Sequence, residues 1–357
     1  MRKVMRICLQ LALAAAVAAG ITLQGCDLIY DDGGECPETS YSVSLLYDMN
    51  MEWADAFAAQ VKSVSLYAFG TDGVLAYKKT EEVSALSDQS MDISDIDPGT
   101  YTLVVWAEGE EATSGSWIYS SATLGSTTLD ELTCSVNSGD GEADFELTPL
   151  FHGMAEGAAF AELEEGGTVS VEVDLTKDTN SLLVMLQNTS GEEISAEDFS
   201  FEVTDTNGSL SYDNTPLGEA VTYRPWAAYS ASAGMDDDED EDDSTKGEGS
   251  TAITKDGDED DTVVNTAIAE FSLGRLTEDS EARLRVYNSD GERVLSIPLV
   301  DFALLVKGYS NSSLTDQEYL DRQSSYSMVF FLDEGGNWLS STVIINSWRV
   351  VLSTVDM

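Results

Sequence analysis

A side-chain alternation with a period of two recurs in short segments of the chain and restricts what it can fold into. In Val61–Phe69 (VKSVSLYAF), Val64 falls on the face opposite to that of Tyr67, as in a β-strand with two distinct faces. The glycine-bounded turn at 70–73 follows and leads into a second β-prone segment at 74–78. The chain therefore contains at least one predicted β-hairpin.

Further β-prone segments follow at short intervals and are separated by turn sequences. They lie at 41–47, 100–107, 142–148, 168–175, 181–187, 199–204, 262–271, 281–287, 293–297, 326–332 and 340–352. Short helices are predicted only within 51–60, after Pro298 and after Thr315. This pattern indicates an all-β fold made of antiparallel β-sandwiches. The segment 340–352 is predicted to be a central strand of its sheet.

The strand segments fall into two sets, which we interpret as two domains. Residues 38–150 form the predicted N-terminal sandwich, and residues 168–357 form the C-terminal one. The sequence between them, 151–167, lacks strand periodicity and is predicted to be a linker. Within the second domain, residues 234–261 are strongly acidic and predict a disordered, self-repelling loop. Calcium binding is the alternative for this loop, but its spacing does not match an EF-hand.

The N-terminus has the composition of an export signal. A basic start is followed by the apolar segment Leu9–Leu23, which is too short for a transmembrane helix. The segment ends in LQGC, where the small residue Gly25 precedes Cys26 as in a lipobox. We predict a signal peptide at 1–25, cleavage between Gly25 and Cys26, lipidation of Cys26, and an acidic tether at 26–37. An ordinary signal peptide with a chance cysteine is the alternative.

Two cysteines stay in the mature chain besides the predicted lipid acceptor. They are Cys36 and Cys134, because Cys8 lies within the predicted signal peptide. In an exported protein two such thiols suggest a disulfide, although two separate thiols are equally compatible with the sequence.

Charge and residue usage argue against several classes of function. The formal net charge of −49 opposes binding to nucleic acid or to anionic lipid headgroups. The chain has one histidine, His152, and no nucleophile elbow, phosphate-binding loop or dinucleotide fingerprint. We therefore predict a protein that is not an enzyme and that uses neither a metal nor a cofactor. Paired carboxylates of a glycosidase are the one catalytic arrangement that counting residues does not exclude.

One aromatic segment suggests a different role. Trp117 and Tyr119 lie in SGSWIYSS, between small polar residues. Exposed rings there would stack on a sugar, so a surface glycan-binding lipoprotein is the alternative function. Inward-facing positions of a short strand are the other interpretation of the same residues.

Several segments occur in an order that points to a known family. They are CDLIYDDGGECP at 26–37, VKSVSLYAF with GVL at 61–75, PGTYTLVVWA at 98–107, QEYLDRQ at 317–323, YSMVFFL at 326–332 and IINSW at 344–348. Together they resemble the fimbrillin-associated anchor lipoproteins, the FimB-type anchors of Bacteroidetes fimbriae. The chain departs from the family pattern in the acidic insertion 236–261 and in Ser347, where Gly is expected.

The resemblance implies two tandem transthyretin-like β-sandwich domains and a structural role. Such a protein would hold the base of a fimbrium at the outer membrane, on the cell surface, and would limit the growth of the fimbrium. Its partners would be fimbrillin stalk or other fimbrial subunits, which join by strand addition.

The distribution of arginine bears on this role. The resemblance also implies that an arginine-specific protease removes an N-terminal strand from stalk subunits. In this sequence no arginine occurs between Cys26 and Tyr223, and the first is Arg224. We therefore predict that the N-terminal strand stays attached. An acidic chain that is simply poor in arginine is the alternative explanation.

Overall fold

Strands dominate the described part of the chain, where turns and three short α-helices join them. The computed structural model describes residues 38–190, 193–233, 264–308 and 311–352. The strands are β1 (Thr39–Met49), β2 (Ser63–Phe69), β3 (Leu75–Glu82), β4 (Ser90–Asp92), β5 (Gly99–Glu108), β6 (Trp117–Tyr119), β7 (Thr133–Val136), β8 (Glu142–Ala143), β9 (Leu150–Phe160), β10 (Gly167–Lys177), β11 (Asn180–Asn188), β12 (Phe199–Asp205), β13 (Ser209–Ser211), β14 (Val221–Tyr223), β15 (Ala227–Ala233), β16 (Val264–Leu273), β17 (Arg283–Asn288), β18 (Arg293–Pro298), β19 (Ser325–Leu332), β20 (Trp338–Ile345) and β21 (Trp348–Val351). The described helices are α1 (Phe57–Gln60), α2 (Leu299–Leu304) and α3 (Asp316–Arg322). The predicted all-β class is confirmed.

The described strands form four sheets. A seven-stranded sheet has the order β3-β2-β5-β9-β10-β1-β4, and a six-stranded sheet has the order β15-β16-β11-β19-β20-β21. A five-stranded sheet follows the order β18-β17-β12-β14-β8, and a three-stranded sheet the order β13-β7-β6. Most pairs are antiparallel as predicted, whereas two pairs, β11 with β19 and β14 with β8, are parallel. The β11–β19 pair is possible because a long crossover that includes α2 and α3 separates the two strands.

The centre of the seven-stranded sheet is buried on both faces. In β2, Val64 and Leu66 belong to one hydrophobic core, whereas Tyr67 packs against a second core. The predicted alternation of this segment is therefore confirmed. In β5, Val105 lies in the first core and Trp106 in the second, and each is about 1% exposed or less. Burying side chains of this size stabilises the fold by roughly 1.5–3 kcal/mol each.

The second core fills the space between the six-stranded and the five-stranded sheets. Val184 of β11 and Phe330 of β19 enter it from one sheet, and Phe201 of β12 and Leu284 of β17 enter it from the other. Side chains two residues apart along these strands share the inward face, as sheet pleating requires.

Strand β9 lies where the sequence predicted a linker without strand structure. Residues 151–167 were expected to lack strand structure, but most of them belong to β9 (Leu150–Phe160), which pairs with β5 and with β10 inside the seven-stranded sheet. A Cβ on Gly153 would lie 2.6 Å from the carbonyl oxygen of Asp174, so glycine is needed where β10 approaches. Gly157 has a φ of +66°, close to an irregularity in the pairing with β5. The division into domains at 38–150 and 168–357 stays a prediction.

Two short strands of the predicted N-terminal domain pair with two short strands of the predicted C-terminal domain. β7 pairs with β13 in an antiparallel ladder, and β8 pairs with β14. Of the segment 142–148, only Glu142–Ala143 is a strand. The backbone hydrogen bonds thus link segments that are distant in sequence.

The short helices begin close to their predicted positions. Thr315 is the N-cap of α3, and its Oγ1 accepts from Glu318 N at 3.0 Å. Pro298 occupies the N-cap of α2 rather than the first helical position. The helix predicted within 51–60 is limited to α1.

A small unit is formed by residues 38–40 together with 162–168, whereas residues 41–161 and 169–352 belong to the large unit. In the small unit Leu163 N donates to Thr39 Oγ1 at 2.9 Å, and Ser40 Oγ lies 2.7 Å from Thr168 Oγ1. These contacts hold the start of β1 against the turn that precedes β10.

The C-terminal β-prone segment is a hairpin rather than one strand. β20 and β21 pair through a two-residue turn at Asn346 and Ser347, whose φ values are +45° and +69°. Both values are typical of a type I′ turn, which favours Asn-Gly. The prediction of a single central strand was therefore wrong, and β21 lies at the end of its sheet. The positive φ of Ser347 also explains why glycine is expected there.

Ser347→Gly is expected to raise the free energy of unfolding by about 0.5–1 kcal/mol, because glycine removes the steric cost of the left-handed backbone. Ser341→Gly in β20 is the matched control and should lower it by a similar amount, since Ser341 lies within a regular strand. Urea unfolding of both variants measures the difference. A Ser347→Gly protein that is no more stable than the parent would contradict the assignment of the turn.

Candidate functional site

The predicted anchor residues lie outside the part of the chain that the structure describes. This holds for Gly25, Cys26 and Cys36, and for the whole acidic loop at 234–261. Cys134 is fully buried in β7. Burial raises the pKa of its thiol well above the ordinary value, which disfavours the thiolate form. The Cys36–Cys134 bridge stays a prediction.

Trp117 does not form a platform for a sugar ring. Its side chain is 8% exposed and belongs to the second core. Its Nε1 donates to the carbonyl oxygen of Thr148 at 2.8 Å. Tyr119 is half-buried, and its hydroxyl donates to Glu108 Oε1 at 2.5 Å. Trp117 thus occupies the inward-facing position that was one interpretation of this segment. The alternative, a sugar platform at Trp117, was wrong, because burial and the hydrogen bond hold the ring inside.

His152 has a structural position in β9. Its Nε2 lies 2.7 Å from the carbonyl oxygen of Tyr212, and its ring meets Trp106 edge to face at 4.6 Å. Burial lowers the pKa of His152 to about 4, so the ring is neutral at pH 7. These contacts satisfy the side chain and join β9 to the loop after β13.

A buried carboxylate lies where the chain passes from β10 to β11. Asp178 is fully buried, and its Oδ1 accepts from Asn214 Nδ2 at 2.8 Å. Burial raises the pKa of Asp178 to about 7, and the nearby Arg275 guanidinium opposes this shift. Asp178 N also donates to Leu150 O at 2.8 Å. The residue thus ties the crossover to the start of β9 and to the loop that holds Asn214.

Arg275 connects this carboxylate to helix α3. Its Nη2 donates to both carboxylate oxygens of Asp321, at 2.9 and 3.0 Å. Its Nε lies 3.8 Å from Asp178 Oδ1, and its Nη1 donates to the carbonyl oxygen of Asn214. One guanidinium therefore fastens three segments of the chain, in the bidentate geometry that favours arginine.

Arg322 at the end of α3 makes a second connection. Its Nη1 donates to the carbonyl oxygens of Asp48 at 3.0 Å and Asn50 at 3.3 Å. Its Cζ lies 3.5 Å from the centroid of the Trp53 ring, a cation–π contact. The side chain of Arg322 is 8% exposed. Together with the Arg275 cluster, this contact links helix α3 to segments on both sides of residue 178.

Most sheet edges are short or protected by charge. β3 carries Lys78, Lys79, Glu81 and Glu82, and Lys79 pairs with Glu81 at 3.0 Å. β4, β6, β8 and β13 have no more than three residues each. β18 ends in Pro298, and beside β15 Ala196 N donates to Ser230 Oγ at 2.9 Å. Such features are typical of edges that resist pairing with another chain.

β21 is the exception and forms an open edge. Its sequence is WRVV, with Trp348 68% exposed and Val351 72% exposed. Among the described strands it pairs only with β20. Leu352 N donates to Ser341 O at 3.1 Å, so the alternation of an antiparallel ladder turns the N–H of Val351 away from β20. The backbone of β21 is therefore available to an added strand.

Two other kinds of site receive no support in the described ranges. Within residues 38–352, apart from the undescribed gaps, no three His, Cys, Asp or Glu side chains are grouped to hold a metal ion. In the same part of the chain, no helix is both long and apolar enough to cross a bilayer.

The geometry defines a class of protein: an all-β protein whose described sheets are joined by buried arginine contacts and present the open strand edge of β21. A family model described as fimbrillin-A associated anchor proteins Mfa1 and Mfa2 matches residues 32–354. The chain belongs to this family of fimbrial anchor proteins. A search of curated proteins found no match.

Solved structures agree with this assignment. A candidate adhesin from Bacteroides thetaiotaomicron is 29% identical, with a TM-score of 0.73, and the match covers 90% of this chain and 100% of the other. A candidate polysaccharide-binding protein from the same organism is 28% identical, with a TM-score of 0.71 and the same coverage. The fimbrial anchor protein Mfa2 from Porphyromonas gingivalis shares the fold at 17% identity, with a TM-score of 0.63 over 89% of this chain and 100% of that one.

Proposed function

We propose that the protein is a lipoprotein that anchors the base of a fimbrium to the outer membrane, at the cell surface, and limits the growth of the fimbrium. The membership of residues 32–354 in the fimbrial anchor family is the observation that carries this proposal. Cys26 is the proposed lipid site, because it ends the predicted signal peptide.

The N-terminal strand of this anchor is proposed to stay in place. β1 pairs with β4 at Ser42–Ser44, and its Tyr41, Val43, Leu45 and Tyr47 lie in the first core. The first arginine after Cys26 is Arg224. The guanidinium of Arg224 pairs with Glu142 at 2.9 Å and with Glu202 at 3.0 Å. The backbone N–H of Arg224 donates to Ala143 O. An arginine-specific protease is therefore expected to leave β1 and the lipid attached.

A fimbrillin subunit is proposed to dock by adding a strand to β21. An added strand gains main-chain hydrogen bonds along the edge, and side chains such as Trp348 and Val351 supply apolar contact. The other described edges are less suitable because they are short, charged or flanked. The open edge of β21 is therefore the proposed docking site for a strand of the fimbrillin subunit.

Val351→Pro tests this mode of docking. Proline removes the outward N–H of Val351 and leaves the β20–β21 hydrogen bonds intact, a position where an edge strand tolerates it. We expect purified stalk fimbrillin from the same organism to bind the variant at least about ten-fold more weakly, which corresponds to about 1.4 kcal/mol. Isothermal titration or surface plasmon resonance measures the affinity.

Val351→Ala is the matched control, because it shortens the same side chain and keeps the N–H. It should weaken binding by much less than the proline variant. Equal affinities for the parent and Val351→Pro would contradict docking at β21. No binding of fimbrillin by the parent protein would contradict the anchor function itself.

A further inference from the structure

An apolar row crosses the outer face of the six-stranded sheet. Tyr229 pairs in register with Ile268, Ile268 with Met185, Met185 with Val329, and Val329 with Ile344. Residues in register on neighbouring strands share one face of a sheet, so these five side chains form a continuous row. We call them the outer row. At neighbouring strand spacings of about 4.8 Å, the row is roughly 19 Å long.

The outer row belongs to neither hydrophobic core. Its neighbours along the strands, such as Val184 and Phe330, point inward into the second core, whereas the outer row points away from it. Tyr229 is 44% exposed, Val329 is 5% exposed, and Met185, Ile268 and Ile344 are half-buried. The row is therefore an apolar strip that the described chain covers only in part, with Val329 buried within it. At the β15 end of the row the Tyr229 hydroxyl donates to Glu270 Oε1 at 2.8 Å.

The outer face of the five-stranded sheet shows what a solvated face of this protein looks like. There Glu202 accepts from Arg224 at 3.0 Å and lies 3.5 Å from Arg285. Arg285 also donates to Thr204 at 2.9 Å, and Tyr287 donates to Glu202 at 3.3 Å. Two sheets that enclose the same core thus differ sharply on their outer faces. A sheet face that only contacts water would be expected to carry charged side chains, so solvation does not explain why the side chains of the outer row are apolar.

Charge decides which partner fits the outer row. Two copies of this chain would bring together two molecules with a formal net charge of −49, so repulsion opposes self-association through this face. Anionic lipid headgroups are opposed for the same reason. The row continues in register from Ile344 to exposed Arg349 on β21. The face therefore suits a different protein that has an apolar sheet surface and a carboxylate near Arg349.

We propose that the body of the fimbrillin partner lies on the outer row, sheet face against sheet face. This inference rests on the proposed function and adds a second contact to the strand edge. The outer row and the open edge are adjacent, because Val351 on β21 is in register with Thr342 on the same outer face. Two sheets pack at a separation of about 10 Å, which lets alternate apolar side chains interdigitate.

A double variant, Ile268→Lys with Ile344→Lys, places two charges in the outer row. Purified stalk fimbrillin from the same organism is the probe, and its affinity is measured by titration. We expect binding at least about 30-fold weaker than for the parent, since the charges would have to be buried unpaired. Ile268→Thr with Ile344→Thr keeps both residues β-branched and serves if the lysine variant does not fold; it should bind several-fold more weakly.

Thr222→Lys with Ser296→Lys is the matched control, because it adds the same charge on the five-stranded sheet. It should bind as the parent does. Parental affinity in the folded Ile268/Ile344 variants would overturn this inference and leave the proposed function standing. Absence of binding by the parent would overturn both. Sedimentation of the protein alone should give a monomer, and a dimer lost in the double variant would overturn the choice of a heterologous partner.

Discussion

Arg275→Ala is expected to lower the free energy of unfolding by about 3–5 kcal/mol, the range found when one partner of a buried ion pair is removed. Arg275 is 15% exposed, and its loss leaves Asp321 without its bidentate partner and Asp178 without its nearby cation. The segments on either side of residue 178 would then lose the guanidinium that joins them.

The loss should depend on pH in a defined direction. Burial raises the folded-state pKa of Asp178 from 3.8 to about 7. The stability that comes from the neutral form is fully present below pH 4, and it is lost as the pH rises through about 7. Above pH 7 the ionised Asp178 relies on Arg275. Arg275→Ala should therefore cost more stability at pH 8 than at pH 5, by about 1.4 kcal/mol for each unit by which Arg275 lowers the pKa.

Arg285→Ala supplies the control on the partly exposed ion-pair network of the five-stranded sheet. The side chain of Arg285 is 25% exposed and lies 3.5 Å from Glu202. Its removal should cost about 1 kcal/mol or less, with little dependence on pH between 5 and 8. Urea unfolding of both variants at the two pH values makes the comparison. Equal losses for Arg275→Ala and Arg285→Ala would contradict a structural role for the buried pair.

Strands with regular alternation were predictable from the sequence, and strands with glycine or a hidden turn were not. The segment 61–69 shows its two faces because each face enters a different core. β9 was missed because Gly153 and Gly157 interrupt its apolar pattern, and the reasons for those glycines lie in contacts with other strands. The β20–β21 turn was missed because Ser347 replaces the glycine that marks such turns.

The candidate site was less predictable than the fold. The Asp178–Arg275 pair joins residues that are far apart in sequence, and no local pattern marks them. The only sequence feature that points to these residues is that arginine is scarce in this acidic chain. Both Arg275 and Arg322 are largely buried. Trp117 failed as a sugar platform because the flanking small residues suggested exposure, whereas its Nε1 and ring are both satisfied internally.

Substitution of Cys26 is expected to have the largest effect on function. The proposed anchor is held at the membrane by a covalent lipid on Cys26, the residue that ends the predicted signal peptide. Each buried methylene of an acyl chain contributes about 0.8 kcal/mol to membrane binding, and stable anchoring requires more than one chain. A lipidated Cys26 with several chains would therefore hold the protein far more firmly than any electrostatic contact of a chain with a formal net charge of −49.

Cys26→Ser is expected to move nearly all of the protein from the membrane fraction to the soluble fraction and to release the attached fimbriae with it, because serine does not accept the thioether-linked lipid. Fractionation of cells, followed by immunoblotting of the protein and of fimbrillin, measures the shift.

Cys36→Ser is the matched control, because it makes the same substitution ten residues further along the same acidic segment. It should leave the protein in the membrane fraction, even if the predicted bridge to Cys134 is lost. Retention of the Cys26→Ser protein at the parental level would refute lipidation at this residue. Release of both cysteine variants would instead place the cause in the tether as a whole.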